Sequence, residues 1–363
     1  MLSVLFVIAG LSFLIFVHEA GHFLTAKFFK LRVDEFGFGL PPRAWGKRVG
    51  ETIYSLNWLP FGGFVKVFGE EGGENITMVG PGEAASSASP DFSRSFNVQP
   101  AWKRAVVIAA GVIMNFFVGW LLVSAVFMIG SPEGVIITDV REGSPALVAG
   151  FKPGDRMSEF KSAEEFISFV AVRKGEEISF AVERGGETVR VVATPRANPP
   201  VGEGPLGVGV AEGGGRLGFF EAFYSGGLAT MELIKSVFLG IINLFVGLFS
   251  GRPNLEGVAG PIGILGVATE VGSYGFVYLL QLLAMISISL GVFNVFPFPA
   301  LDGGRLFFII IEKIKGSPLS IKTERLSNGV AFAILLLLMA LISIRDVVKW
   351  SPIFLKWLAQ IAG

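Results

Sequence analysis

Residues 2–30 read LSVLFVIAGLSFLIFVHEAGHFLTAKFFK. The first sixteen positions of the chain carry no charge, and a helix over Val4 to Ala26, rising about 1.5 Å per residue, is long enough to cross roughly 30 Å of hydrocarbon. No basic leading segment or small-residue cleavage site marks it as a secretory leader, so it reads as a retained span. Yet it contains His18, Glu19 and His22, and these two histidines are the only ones in the chain. Ionisable side chains inside a span are expensive and signal function. At i and i+4 the two imidazoles leave one helix face a turn apart, able to bind one ion, with Glu19 beside them as a base toward water at that ion. This is the H-E-x-x-H pattern of zinc peptidases.

The rest of the composition agrees with a membrane location. Of 363 residues, 52% are hydrophobic and only 17% charged, and 30 Lys and Arg balance 30 Asp and Glu. The expected surroundings are a lipid bilayer, and no charge excess points to nucleic acid. Zero cysteines removes disulfides, thiolate metal sites and cysteine nucleophiles. Three further stretches have the apolar character of spans: Ala105 to Ile129, Phe276 to Phe296 and the shorter Val330 to Ile344. Basic residues gather after the first span, before the second and between the last two, so these segments are predicted cytoplasmic and both termini extracytoplasmic. A further apolar stretch, residues 228–251, carries Glu232 and Lys235. Counting it as a span would invert the later basic loop, so it reads as an amphipathic helix on the membrane surface. The fold class is therefore a polytopic α-helical membrane protein with four transmembrane helices.

Between the second and third spans the composition changes. EGVIITDVREGSPALVAGFKPGDRM reads as a strand, a short helix and a Gly/Pro corner, AEEFISFVAVRKG as a helix, and EISFAVERGGETVRVVATP as a hairpin. These residues, 131–200, form an inserted α+β domain facing away from the cytoplasm, followed by the surface-helix region at 201–275. The first two spans occupy 1–130 and the last two 276–363. Residues 71–93, rich in Gly, Pro and Ser, read as a flexible cytoplasmic connector.

A catalytic zinc takes three protein ligands and keeps one position open. Without cysteine or another histidine the third ligand must be oxygen, most simply a carboxylate at the membrane depth of His22. The third span, running inward, reaches that depth at NVFPFPALDGGR, where Pro297 and Pro299 break the helix and Asp302 is the acid in an apolar setting. Glu312, among lysines, reads as a solvated helix end. Asp302 is the candidate ligand, with a helix N-cap as its alternative role.

HEAGH on the first span, GVIMNF (Gly111 to Phe116) on the second and NVFPFPALDGG on the third together resemble the site-2 protease family, in particular the bacterial regulator of sigma-E protease group. LEGVAGPIGI and a last span ending in Asp346 extend the resemblance over nearly the whole chain. SPALVAGFKPGDR resembles a PDZ domain, with the segment after GDR shortened to MSEFKSAEEF. The resemblance implies that His18, His22 and Asp302 bind Zn2+, that Glu19 is the general base, and that Asn115 lies near the site. Asn115 and Asn294 each have amide donors able to hold substrate backbone or an oxyanion, or to join two helices. It also implies a bacterial inner membrane location and regulated intramembrane proteolysis.

A transmembrane helix shields its own peptide bonds, so its protease must hold it extended. ETIYSLNWLPFGGFVKVFGEE alternates in part and is expected to turn at PFGG, and FGFGLPPR before it is Gly-rich. These segments resemble the family's membrane-dipping β-hairpin and Gly-x-Gly strand, making Gly37, Gly39, Phe64 and Val65 candidate substrate-binding residues through β-addition. The expected activity is an intramembrane zinc endopeptidase acting on a single-pass transmembrane protein, already shortened by another protease, such as an anti-sigma factor or signal-peptide remnant. The alternative is a zinc-binding scaffold or inactive homologue working through its PDZ-like domain. The sequence does not specify an oligomeric state.

Overall fold

The computed structural model describes residues 2–70, 91–130, 134–184, 186–200, 203–251, 258–272 and 274–362. The flexible connector expected at 71–93 lies mostly outside them. In chain order the elements are α1 (Leu2–Phe28), β1 (Val33–Val49), β2 (Thr52–Val67), α2 (Ala101–Ile129), β3 (Gly134–Val140), α3 (Pro145–Ala149), β4 (Arg156–Met157), α4 (Ala163–Val172), β5 (Ile178–Arg184), β6 (Glu187–Ala193), β7 (Val208–Gly213), α5 (Phe219–Phe249), α6 (Pro261–Gly272), α7 (Phe276–Val295), α8 (Asp302–Lys315) and α9 (Ile321–Ala362). They form two compact units: residues 1–122, 227–272 and 279–363, and residues 123–226 and 273–278.

The larger unit is the helical one. Among the described residues five helices are long and apolar enough to cross a membrane: α1, α2, α5, α7 and α9. In α1 and α7 apolar residues surround the helix, so water has no polar face to wet and lipid or protein must cover every side. Leu14 and Val7 of α1 pack with Leu279, Leu282, Leu283 and Ile286 of α7 and Ala268 of α6. Gly10 permits this approach, because a Cβ there would lie 2.5 Å from Leu283 Cδ2.

Four of these contain the expected spans, and the fifth is α5. The stretch read as a surface helix is the body of α5, and it lies along the bundle. Gly227 sits beside Trp120 of α2, whereas Phe238 and Phe245 reach Phe296, the latter stacked at 5.3 Å between centroids. From 227 to 245 a helix rises about 27 Å, comparable with a hydrocarbon thickness. Glu232 and Lys235, the residues that suggested a surface position, stay exposed and 4.0 Å apart. A pair of opposite charges one turn apart partly neutralises itself, which a sequence-level charge count does not credit.

β1 and β2 pair over their whole length, and each changes partner midway. The turn is at Gly50 (φ +64°) and Glu51, between paired Val49 and Thr52, rather than at PFGG as expected. Residues 43–49 pair antiparallel with 52–57. Residues 35–38 pair twice, with 66–63 in descending order and with 53–56 in ascending order. The two long strands thus act as four segments, ordered 43–49, 52–57, 33–38 and 63–67. PFGG is the crossover that carries β2 from one partner to the other, with Gly62 at φ +79°. Local turn chemistry could not separate a crossover from a hairpin, since both need glycine at positive φ. Ser12 of α1 donates to Pro60 O at 2.7 Å and anchors the crossover against the helix. Phe23 of α1 stacks on Phe36 at 4.6 Å, and Phe16 contacts Phe36 and Phe38. At the turn, Arg94 makes a two-pronged pair with Glu51 and Lys27 adds a third contact. These cations hold the Glu51 carboxyl well below the usual carboxylate range, at about 2.

The smaller unit is a five-stranded sheet in the order β6-β5-β4-β3-β7, antiparallel throughout. Its core joins Phe180, Ile137, Met157 and Val182 of the sheet to Phe166 and Val170 of α4. Burying one such side chain is worth about 1.5–3 kcal/mol. Asp155 of the GDR triplet is wholly buried, accepts from Arg184 at 2.7 Å through both oxygens and takes the Lys152 N–H at 2.9 Å. The shortened segment after GDR leaves β4 two residues long, though it still pairs on both sides. β7 pairs with β3, so the sheet extends past the boundary expected at residue 200. Its sequence, VGVAEG, is too rich in glycine and too short to announce a strand.

Candidate metal centre

Three elements deliver the centre. α1 presents His18 and His22 from one face, their rings edge-to-face with centroids 4.8 Å apart. The end of α7 gives way at residue 296 to an irregular segment, and Asp302 opens α8. A carboxylate in the first turn of a helix is favoured by the amide dipoles there. The next two residues must be glycine. A Cβ on Gly303 would lie 2.1 Å from Val295 O, and one on Gly304 2.2 Å from Phe298 O. The LDGG run therefore lets the first turn of α8 fold back onto the end of α7 and brings Asp302 to the histidines.

Asp302 Oδ2 lies 3.0 Å from His18 Nε2 and 3.3 Å from His22 Nε2, and the two Nε2 atoms are 3.2 Å apart. Both histidines are 8% exposed. Asp302 Oδ2 is buried without a hydrogen-bond partner. His22 Nδ1 donates to Val107 O at 2.9 Å, which leaves His22 Nε2 with its lone pair directed at the same point. Converging lone pairs on a buried carboxylate oxygen and an imidazole repel unless a cation lies between them, and two nitrogens with one oxygen suit zinc. The residues therefore fit the metal that the sequence implies. Among the described residues this is the only such grouping of His, Asp and Glu.

The second helix forms the back wall. A Cβ on Gly111 would fall 2.4 Å from His22 Nε2 and 2.9 Å from His18 Cε1, and one on Gly21 would fall 2.5 Å from Ala110 O. Gly111→Ala should consequently lower zinc affinity measured by chelator competition while leaving helix content unchanged, since alanine is the better helix former by about 1 kcal/mol. Unchanged zinc affinity would show that the histidine rings can retreat. The motif spacing alone did not single out Gly111, because only the packed rings show what a methyl would meet.

On the open side Glu19 and His22 face a cavity of about 600 Å3 shared with Val65, Glu70, Asp302, Arg305 and Arg325. Glu70 and Arg305 pair across it at 2.6 Å, a contact that sequence reading missed because the partners are 235 residues apart. The sheet segment 63–67 is at the end of the sheet beside this cavity. A Cβ on Gly63 would lie 3.6 Å from Glu19 Cγ, and Val65 lines the cavity. Phe64 packs inward, with its ring 2.6 Å from a Cβ built on Gly37. Gly37 and Gly39 belong to the inner segment. Gly37 pairs with both Phe64 and Ser55, and Gly39 (φ +81°) leaves room for Leu59 O. Asn115 is 1% exposed and its amide lies 3.1 Å from His18 Nδ1. Asn294 is half-buried in the last turn of α7, eight positions before Asp302.

The family model for peptidase family M50 matches residues 6–338, which include every residue named above for the metal centre and its cavity. The chain belongs to peptidase family M50, the site-2 proteases. A zinc metalloprotease by name from Brucella suis is 34% identical over 93% of this chain and 92% of its own length. A second from Clostridium perfringens is 31% identical over 95% of this chain and 98% of its own. The regulator of sigma-W protease RasP of Bacillus subtilis is 26% identical over 92% and 95%. The M50 chain is accordingly a zinc metalloprotease, and its long apolar helices make it a multi-pass membrane protein.

Proposed function

We propose that this M50 peptidase cleaves single-pass membrane proteins within or beside their spans, with His18, His22 and Asp302 holding the zinc and Glu19 acting as general base. The observation that carries the reading is the buried, unpartnered Oδ2 of Asp302 facing both histidine Nε2 atoms, with Glu19 opening to the adjoining cavity. Zinc bound there supplies Lewis acidity toward a carbonyl and a water. The Glu19 carboxylate takes the proton released as the water oxygen bonds to the scissile carbon. It returns that proton to the amide nitrogen as the C–N bond breaks, so no covalent enzyme intermediate is needed. Three donors among the described residues, rather than the four of a structural zinc, favour this over a scaffold role.

The substrate is held extended against residues 63–67, whose outer edge borders the cavity, while the Gly37–Gly39 segment supports that strand from behind. The strand runs from the Pro60 crossover toward Glu70. The basic clusters put the Glu70 end at the cytoplasmic face. A segment added antiparallel then passes from cytoplasm into bilayer, the polarity of a protein with a cytoplasmic N-terminus. In this reading Asn294, in the last turn of α7, contacts substrate backbone through its side-chain amide. The five-stranded unit acts as an extracytoplasmic PDZ-like domain that selects shortened substrates, and a membrane-bound regulator of a sigma factor is the proposed substrate class. The location is the bacterial inner membrane.

The test is to incubate the purified protein with a panel of single-pass substrates of both orientations, with and without a zinc chelator, and to map the products by mass spectrometry. Chelator-sensitive cuts in or next to the span of N-in substrates are expected. Cleavage confined to soluble unfolded proteins would overturn the reading.

A further inference from the structure

A ring nitrogen that binds a cation must be bare, so the other nitrogen of that imidazole carries the proton, and whatever faces it decides the tautomer. For His22 the Val107 carbonyl does this, since a carbonyl can only accept. Among the described residues no backbone carbonyl takes that place for His18. Its Nδ1 meets the side-chain amide of Asn115, at 3.1 Å and 1% exposure, deep behind the site and away from the cavity.

An asparagine amide has a donor end and an acceptor end, exchanged by turning the group half a revolution, and the surrounding bonds must decide between them. With Nδ2 toward His18, the Asn115 Oδ1 is buried without a partner. In that orientation His18 Nδ1 accepts, its proton sits on Nε2, and the nitrogen facing Asp302 at 3.0 Å has no lone pair to offer. With Oδ1 toward His18, that oxygen accepts from Nδ1–H while Nδ2 takes the place Oδ1 had, the proton sits on Nδ1, and Nε2 is bare like that of His22. We propose that Asn115 is a positioning residue: its carbonyl oxygen accepts from His18 Nδ1–H and holds His18 in the metal-binding tautomer. Backbone support is present, because Ser287 of α7 donates to Asn115 O at 2.8 Å and fixes this turn of α2. The proposal rests on the reading of the metal centre given above. It differs from a substrate contact, which needs the Asn115 donors and access to the cavity.

The chain has two histidines, so protein labelled with 15N only at histidine, and purified through a histidine-free tag, gives four ring-nitrogen resonances that report both tautomers directly. In zinc-loaded full-length protein both rings are expected to carry the proton on Nδ1 with Nε2 coordinated. Asn115→Leu should weaken zinc binding about 10–100-fold in chelator competition, the usual loss for an outer partner of a ligand. Asn115→Asp should restore it, because a carboxylate accepts from Nδ1–H and donates nothing. A His18 proton on Nε2 in the zinc-loaded wild type, an unaltered affinity in Asn115→Leu, or an Asp variant as weak as Leu would each overturn the proposal. Should the Leu variant fail to fold, the wild-type spectrum alone decides. Wild-type protein that takes up no stoichiometric zinc would instead overturn the metal-centre reading itself.

Discussion

Glu19→Gln is expected to keep its zinc and to lose about 10²–10⁴-fold in cleavage of a detergent-solubilised transmembrane substrate, the range assigned to a positioned general base. Glutamine has the shape of glutamate but accepts no proton at any working pH. The side chain belongs to the cavity wall rather than to the group of three converging atoms, since those are supplied by His18, His22 and Asp302. Zinc content and turnover should therefore separate in this variant. Turnover equal to wild type would remove Glu19 from the mechanism, whereas parallel loss of zinc and activity would move it into the ligand set.

Asp302→Ala should produce the opposite pattern, with metal content and activity falling together. The loss in zinc affinity should exceed the ~10–100-fold typical of an outer-shell partner, because one of three direct donors disappears. Removing the carboxylate also leaves two Nε2 atoms 3.2 Å apart with no anion between α1 and α8. Asp302→Asn keeps the side-chain volume and the helix start, so it separates loss of charge from loss of packing. Wild-type zinc stoichiometry in Asp302→Ala, measured after equilibrium dialysis, would exclude the residue as a ligand. The fold should tolerate these changes, since the neighbouring cluster of Phe23, Val107, Ile108 and Ile309 does not depend on Asp302.

How far the sequence reaches can be judged residue by residue. The 3.6-residue period placed His18 and His22 on one face because helical geometry is local and obligatory in lipid. The absence of cysteine and of any other histidine turned the search for a third ligand into a search for one acid at one depth, and Asp302 does meet the histidines in space. The small sheet unit was legible up to Ala193 from alternation and turn residues. β7 was not, because its place depends on pairing with β3 roughly 70 residues earlier, and a glycine-rich strand carries no periodic signal. PFGG was legible as a bend but not as a crossover. Which partner a strand takes after a bend is settled by register and by anchors such as Ser12 on α1, which no local pattern encodes.

By itself the sequence determined the chemistry available and the spans that carry it: two imidazoles and two carboxylates, each confined by hydrophobic stretches that must satisfy their own backbone. The tertiary structure alone decided which atoms face each other. It set Val107 O behind His22 and Asn115 behind His18, closed the wall with Gly111, turned the 63–67 edge rather than the Gly37–Gly39 segment toward the cavity, and laid α5 along the bundle. The physical reason is range. Helix period and burial act over a few residues, whereas ring tautomers, strand edges and close helix approaches are fixed by neighbours that are tens to hundreds of positions away in the chain.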